Sequence, residues 1–234
     1  MFIRRSHERG NVDHGWLKSA HSFSFANYYD PRFMGFKSLR VINEDHISPE
    51  SGFGTHPHNN MEIITYVVQG ELTHEDSLGH KEKLVPGEIQ VMSAGNGIRH
   101  SEYNKASAQS IHLFQIWILP ESLGGEPRYQ QVSYLDHLRT NKWLSLVSPE
   151  GGGGLTHIKQ HASLKLFKSE QGRVELPVQT GFSYWLQVVH GPLKSTSGET
   201  LESGDALAFE AGGSAELVWK SESNIELLLF DLAS

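Results

Sequence analysis

The stretch Gly52-Phe-Gly-Thr-His56-Pro-His58-Asn-Asn-Met-Glu62 sets two imidazoles two residues apart. On a strand such residues project from one face, so His56 and His58 can converge on a point and supply half of a metal site. The other half stands downstream in Ser93-Ala-Gly95-Asn-Gly97-Ile-Arg-His100-Ser-Glu102-Tyr-Asn104, where His100 and Glu102 repeat the spacing. Three imidazole nitrogens and a carboxylate oxygen suit one divalent transition metal: Fe, Mn, Ni, Co, Cu or Zn. Four protein ligands also leave one or two positions for water or substrate. A lone His-x-His is commonly a solvated or structural pair. Here a His-x-Glu follows a Gly-x-Gly turn at a spacing that a hairpin closes, and that combination carries the metal reading. Arg99 points to the opposite face of the same strand. The chain has no cysteine, which removes disulfides, thiolate ligands and cysteine nucleophiles together.

The elements that must position these residues are strands. Glycines recur in short turns, and between them lie runs rich in β-branched and aromatic residues: Glu62 to Gln69, Ile89 to Ser93, Ile111 to Leu119, Tyr184 to His190, Ala206 to Glu210 and Ile225 to Leu232. Apolar neighbours such as Val67 and Val68 suit a packed sandwich or a filled barrel. Tyr66-Val-Val-Gln-Gly70, followed by Gly87-Glu88, matches Gln187-Val-Val-His-Gly191, followed by Gly204-Asp205, so the fold reads as duplicated. The chain of 234 residues is expected to divide into two domains, 1–133 and 134–234, after the interruption by Pro120, Gly124, Gly125 and Pro127. A short helix is expected at Tyr134 to Leu144, with Leu135, Leu138 and Trp143 sharing a face. The second copy offers only His190 in its matching strand and turns, so a metal belongs to the first domain, and Asp205 reads as a turn acid. His14, His21, His46, His74, His80 and His112 read mainly as surface or core groups. His14 and His21, beside Phe23 and Phe25, are candidates for a pocket rim.

A formal net charge of -7 argues against a nucleic-acid binder driven by bulk electrostatics. The charged start MFIRRSHERG and the lack of a long apolar run predict a cytoplasmic protein with no membrane partner.

The two motifs, His56-x-His58-x3-Glu62-x7-Gly70 and Gly87 through Gly95-x-Gly97-x2-His100-x3-Asn104, resemble those of the cupin superfamily. Gly95 stands where the second motif usually has proline. Gly54-Thr-His-Pro-His58, Met92-Ser-Ala-Gly-x-Gly97-Ile-Arg-His100-Ser-Glu102 and Phe23-Ser-Phe-Ala-Asn27-Tyr-Tyr-Asp30 are similar to pirins, most of all to the bacterial ones. The resemblance implies an all-β bicupin of two face-to-face β-barrel (double-stranded β-helix) domains, the first metal-binding and the second degenerate. It implies His56, His58, His100 and Glu102 as ligands, whereas many cupins take their carboxylate from the position of Glu62. Glu102 is favoured as ligand and as base; Glu62 remains the alternative. The implied activity is quercetin 2,3-dioxygenase, which opens a flavonol with O2 and releases CO. The competing implication is a metal-binding co-regulator that works through a protein partner.

Overall fold

The computed structural model describes residues 1–212 and 217–233. Strands dominate: β1 (Phe2–Arg4), β2 (Gly10–Asp13), β3 (Leu17–His21), β4 (Leu39–Ile47), β5 (Ser51–His58), β6 (Glu62–Gln69), β7 (Leu72–Asp76), β8 (Lys81–Leu84), β9 (Glu88–Ser93), β10 (Ile98–Asn104), β11 (Ile111–Ile118) and β12 (Arg128–Ser133). They continue with β13 (Leu144–Pro149), β14 (Thr156–Ile158), β15 (Ala162–Ser169), β16 (Gly172–Glu175), β17 (Phe182–His190), β18 (Leu193–Ser195), β19 (Thr200–Leu201), β20 (Ala206–Glu210), β21 (Val218–Ser221) and β22 (Ile225–Ala233). No helix among the described residues is long and apolar enough to cross a membrane.

The chain forms two compact units. One holds Gly10–Leu135 with Thr156–Gln160; the other holds Met1–Arg9, Asp136–Leu155 and His161–Ser234. These depart from a division at residue 133 in two segments. The first nine residues join the second unit because β1 pairs antiparallel with β20, and Asp205 accepts from the Ser6 amide at 2.7 Å and from Arg5 Nη1 at 2.8 Å. Asp205 also accepts from the Glu202 amide at 3.2 Å, the turn role expected of it. The β14 segment joins the first unit, where Arg128 and Gln130 of β12 donate to the His157 carbonyl at 3.0 and 2.7 Å.

In the first unit a seven-stranded sheet, β12-β9-β6-β11-β4-β3-β2, accompanies a four-stranded one, β5-β10-β7-β8. Leu17, Ile47, Val67, Leu72, Leu84, Ile111 and Leu113 form one apolar cluster drawn from both sheets, while Ile63, Met92, Ala94 and Ile98 form another. Between them each strand changes character along one face. On β11 the sequence is Leu113, Gln115, Trp117; on β6 it is Val67, Thr65, Ile63. Since side chains two apart share a face, the polar members sit between the two apolar clusters. Register then aligns them, because Gln90 pairs with Thr65, Thr65 with Gln115, Gln115 with Asn43 and Asn43 with His21. A polar row thus crosses five strands of the large sheet.

The second unit repeats this wiring in β1-β20-β17-β22-β15-β13 and β16-β21-β18-β19. Aligning Gly70 on Gly191 and Gly87 on Gly204, all four with positive φ, puts Leu207, Leu186 and Leu229 where the first unit has Gln90, Thr65 and Gln115. Those leucines pack with Val174, Leu193 and Trp219 in one buried cluster, so the polar row is replaced by core.

The helix expected at Tyr134 to Leu144 does not form; the segment is a series of turns. Tyr134 is held by its amide to Gly87 O at 2.8 Å and by its hydroxyl to that of Tyr66 at 3.1 Å. Leu135 is 59% exposed, and Asn141 takes φ 63°, which interrupts a right-handed helix.

Gly52 lets β5 approach β10. A Cβ there would lie 2.3 Å from the Glu102 carbonyl oxygen and 2.6 Å from Tyr103 Cα, and backbone cannot rotate aside. Gly52→Ala is expected to cost about 3 kcal/mol, read as a lower urea midpoint.

Candidate metal centre

The residues His56 and His58 on β5 and His100 on β10 meet as a triangle. Ring centroids are 4.8 Å apart for His56–His58, 4.4 Å for His56–His100 and 4.9 Å for His58–His100. Register explains the convergence: His100 lies directly opposite His56, and Ile98 opposite His58. Between His100 and Glu102 the pairing shifts, so that Glu102 stands opposite Phe53. This bulge puts an extra residue at Gly54–Thr55, and Phe53 joins His56 and His58 on the cavity side despite the odd spacing.

The rings are prepared as ligands. The His56 Nδ1–H group donates to Gly54 O at 2.8 Å, which leaves the Nε2 lone pair free to point inward. Both ring nitrogens of His100 are buried without a hydrogen-bond partner, a state that buried polar atoms rarely occupy unless something else binds them. Burial, then the charges of His100 and His56, hold His58 down to about 4. Burial, then His56 and His74, hold His100 down to about 3. Neutral imidazole is the form that ligates, so the donor set fits a divalent transition cation.

The two candidate carboxylates occupy different places. Glu102, 4% exposed, accepts from Gln115 Nε2 with both oxygens, at 3.1 and 3.0 Å. Its oxygens lie within 4.8 Å of ligand atoms on His100 and His74. Glu62 instead accepts from Ser93 Oγ at 2.6 Å, belongs to none of the groups close enough to share a cation among the described residues, and is raised in pKa by burial. Arg99 is exposed, as its strand parity requires.

His74 is a neighbour that sequence reasoning passed over. It is fully buried opposite Glu102 on β7, with Nε2 3.1 Å from Asp76 and Nδ1 unpartnered. Asp76 also faces His80 Nδ1 at 2.9 Å, so one carboxylate anchors two imidazoles behind His100.

A cavity of about 300 Å³ opens over His56, His58 and Glu102. Leu17, Phe25, Phe53 and Trp117 give it apolar walls, and Ser19, His21, Asn43, Asp45 and Gln115 form a polar side. His21 lines it as a rim residue would; His14 does not and is exposed. Of the aromatic residues near the N-terminus Phe25 reaches the cavity, Phe23 is core, and Tyr29 is 72% exposed. The alternation Asn43-x-Asp45 on β4 was the available sequence signal for the polar side.

Asp45 is the most perturbed member of that side. Burial raises it to about 7, against the hydrogen bond from Ser19 and with a smaller push from Glu102. A carboxyl raised in the folded state contributes its stability below the unfolded value and loses it as pH rises through about 7. Asp45→Asn titrates in neither state. Chelator-treated Asp45→Asn is therefore expected to exceed the wild type in urea midpoint at pH 8, the advantage fading by pH 4.

The large-sheet and small-sheet motifs that build this centre are matched by known proteins across the chain. A family model described as Pirin matches residues 3–118, and one described as Quercetinase C-terminal cupin domain matches residues 145–232. The quercetin 2,3-dioxygenase of Escherichia coli is 45% identical over 99% of this chain and 98% of its own. A pirin-like protein of Caulobacter vibrioides is 52% identical over 59% of this chain and 60% of its own. The crystal structure of the bacterial pirin YhhW of Escherichia coli in complex with nickel(II) superposes with a TM-score of 0.89 at 43% identity, covering 99% of this chain and 98% of that one. Matched over nearly its whole length in sequence and in the doubled β architecture, the chain belongs to the pirin family of the cupin superfamily.

Proposed function

We propose that the first unit is the active centre of a flavonol 2,3-dioxygenase in which His56, His58, His100 and Glu102 hold one divalent cation. The observation that carries this reading is the triangle of His56, His58 and His100, with the clamped Glu102 beside His100, at a cavity walled by aromatic rings. Relatives named quercetin 2,3-dioxygenase and a nickel-bound pirin support it. Iron, manganese, nickel, cobalt, copper and zinc all suit this donor set. When bound, the cation supplies a Lewis acid that makes a flavonol hydroxyl more acidic.

The chain's own residues do the rest. Glu102 accepts the proton of the 3-hydroxyl, and Gln115 holds both of its oxygens so that the accepting lone pair keeps its direction. Phe25, Phe53 and Trp117 pack against a planar ring system and exclude water. Ser19, His21 and Asn43 offer hydrogen-bonding atoms to the hydroxyls of a polyphenol. Trp117 also meets His58 edge-on at 4.9 Å, which keeps that ring from turning out of the site.

The test is oxygen uptake and CO release on quercetin with metal content measured on the same sample. Turnover that follows metal content supports the proposal. Stoichiometric metal without turnover on any flavonol overturns it in favour of a metal-binding regulatory protein that docks a protein partner.

A further inference from the structure

The strands β4 and β11 present a second set of ligating side chains on their other face. Along β4, Asn43 and Asp45 point to the cavity, so Glu44 and His46 point away from it. On β11, His112 stands directly opposite His46, and Phe114 opposite Glu44. The rings of His46 and His112 stack with centroids 4.2 Å apart at 14°. His112 Nε2 lies 2.9 Å from Glu44 Oε1. Ligand atoms of the three residues fall within 4.8 Å of one another. The Glu44 and His112 side chains are only 13% and 19% exposed, while His46 is exposed.

We infer that Glu44, His46 and His112 form a second cation site, for Zn2+ or a similar borderline ion such as Ni2+ or Cu2+. Two imidazoles with a carboxylate are a donor set that zinc takes with a position left open for water. Two stacked imidazoles cannot both carry charge cheaply, and partial burial, then His112, lower the pKa of His46. His46 is thereby favoured in its ligating form. Metal–ligand distances of about 2.1 Å require the donors to close to roughly 3 to 4 Å, and the exposed His46 ring is free at its solvent side to turn by that amount. A cation placed between Glu44 and His112 takes over the role of the proton they share. Because the same two strands carry Asn43, Asp45 and Gln115 on the cavity side, an ion here pins the backbone that shapes the central pocket.

Zn2+ equilibrium dialysis with metal quantitation tests this on four full-length proteins: wild type, His46→Ala, His56→Ala and the double variant. The expected counts per chain are two, one, one and none. A wild type that binds one Zn2+ and loses it in His56→Ala, or an unchanged count in His46→Ala, overturns the inference. A count that drops in His46→Ala but not in His56→Ala upholds the outer site and removes the central one, so the two readings fail separately. His112→Gln, which keeps a polar side chain of similar reach on β11, is expected to lower the count by one as well. Imidazole resonances of His46 and His112 should shift on addition of the outer ion in the His56→Ala background, and their failure to move would count against the site.

Discussion

Replacing His100 with alanine in a His46→Ala background, which lacks the outer ion, is expected to abolish stoichiometric metal binding and, with it, the part of the first unit's stability that the central ion supplies. An ion present at a hundred times its dissociation constant adds about 2.7 kcal/mol to the folded state. For a unit of this size that amounts to a melting shift of about 5 to 10 °C. Chelator should therefore lower the melting temperature of His46→Ala by that amount and leave the His46→Ala/His100→Ala double variant unmoved. The metal-free proteins should melt close together, for two effects of the substitution oppose each other. It removes a buried ring with both nitrogens unpartnered, a standing cost of desolvation, and leaves a cavity, a cost of its own. A double variant that retains one ion per chain, or still responds to chelator, would sink the assignment of His100 as ligand.

The parts of this molecule legible in its sequence are those written locally. Strands at Glu62 to Gln69 and Ala206 to Glu210 have the bounds their composition predicts, and the repeat of Gly70-Gly87 in Gly191-Gly204 reappears as matching registers. The His56-x-His58 and His100-x-Glu102 pairs converge because period-two spacing acts within one strand. The polar side of the cavity and the imidazole behind His100 are different in kind. Asn43, Gln115 and His74 come from three strands far apart in the chain, and each alone looks like one polar residue in an alternating run. Only the pairing of Gln115 with Asn43 and of Glu102 with His74 assembles them. Phe53 misleads in the opposite direction, since strict alternation turns it away from His56 until the bulge restores it. Tyr134 to Leu144 fails as a helix for a tertiary reason: its first residue is anchored to Gly87 and Tyr66, so helical periodicity has no free segment to act on. The first nine residues likewise join a sheet formed by strands some two hundred residues later, which no local pattern announces.

Glu102→Gln is expected to separate chemistry from metal binding. The three imidazoles remain, so metal content should stay near that of the wild type, while turnover on quercetin falls roughly 10²- to 10⁴-fold because no group is left to accept the hydroxyl proton. The substitution is tolerable in the fold. Gln115 now gives its amide hydrogens to Glu102 and has an unpartnered Oε1; a half-turn of its amide lets that oxygen accept from the new side chain instead. The loss should fall on kcat with KM little changed, since the aromatic walls that hold the substrate are untouched. Glu62→Gln provides the opposite control. Its partner is Ser93 and not the imidazole cluster, so turnover should stay within a few-fold, and the glutamine Oε1 can still accept from Ser93. If Glu62→Gln abolished turnover and Glu102→Gln did not, the base would be Glu62, and β6 would have to bend toward the centre in the working enzyme. If both variants kept full turnover, neither carboxylate would be the base, and the proton would have to leave along the polar side of the cavity, where Asp45 is the next acceptor in line.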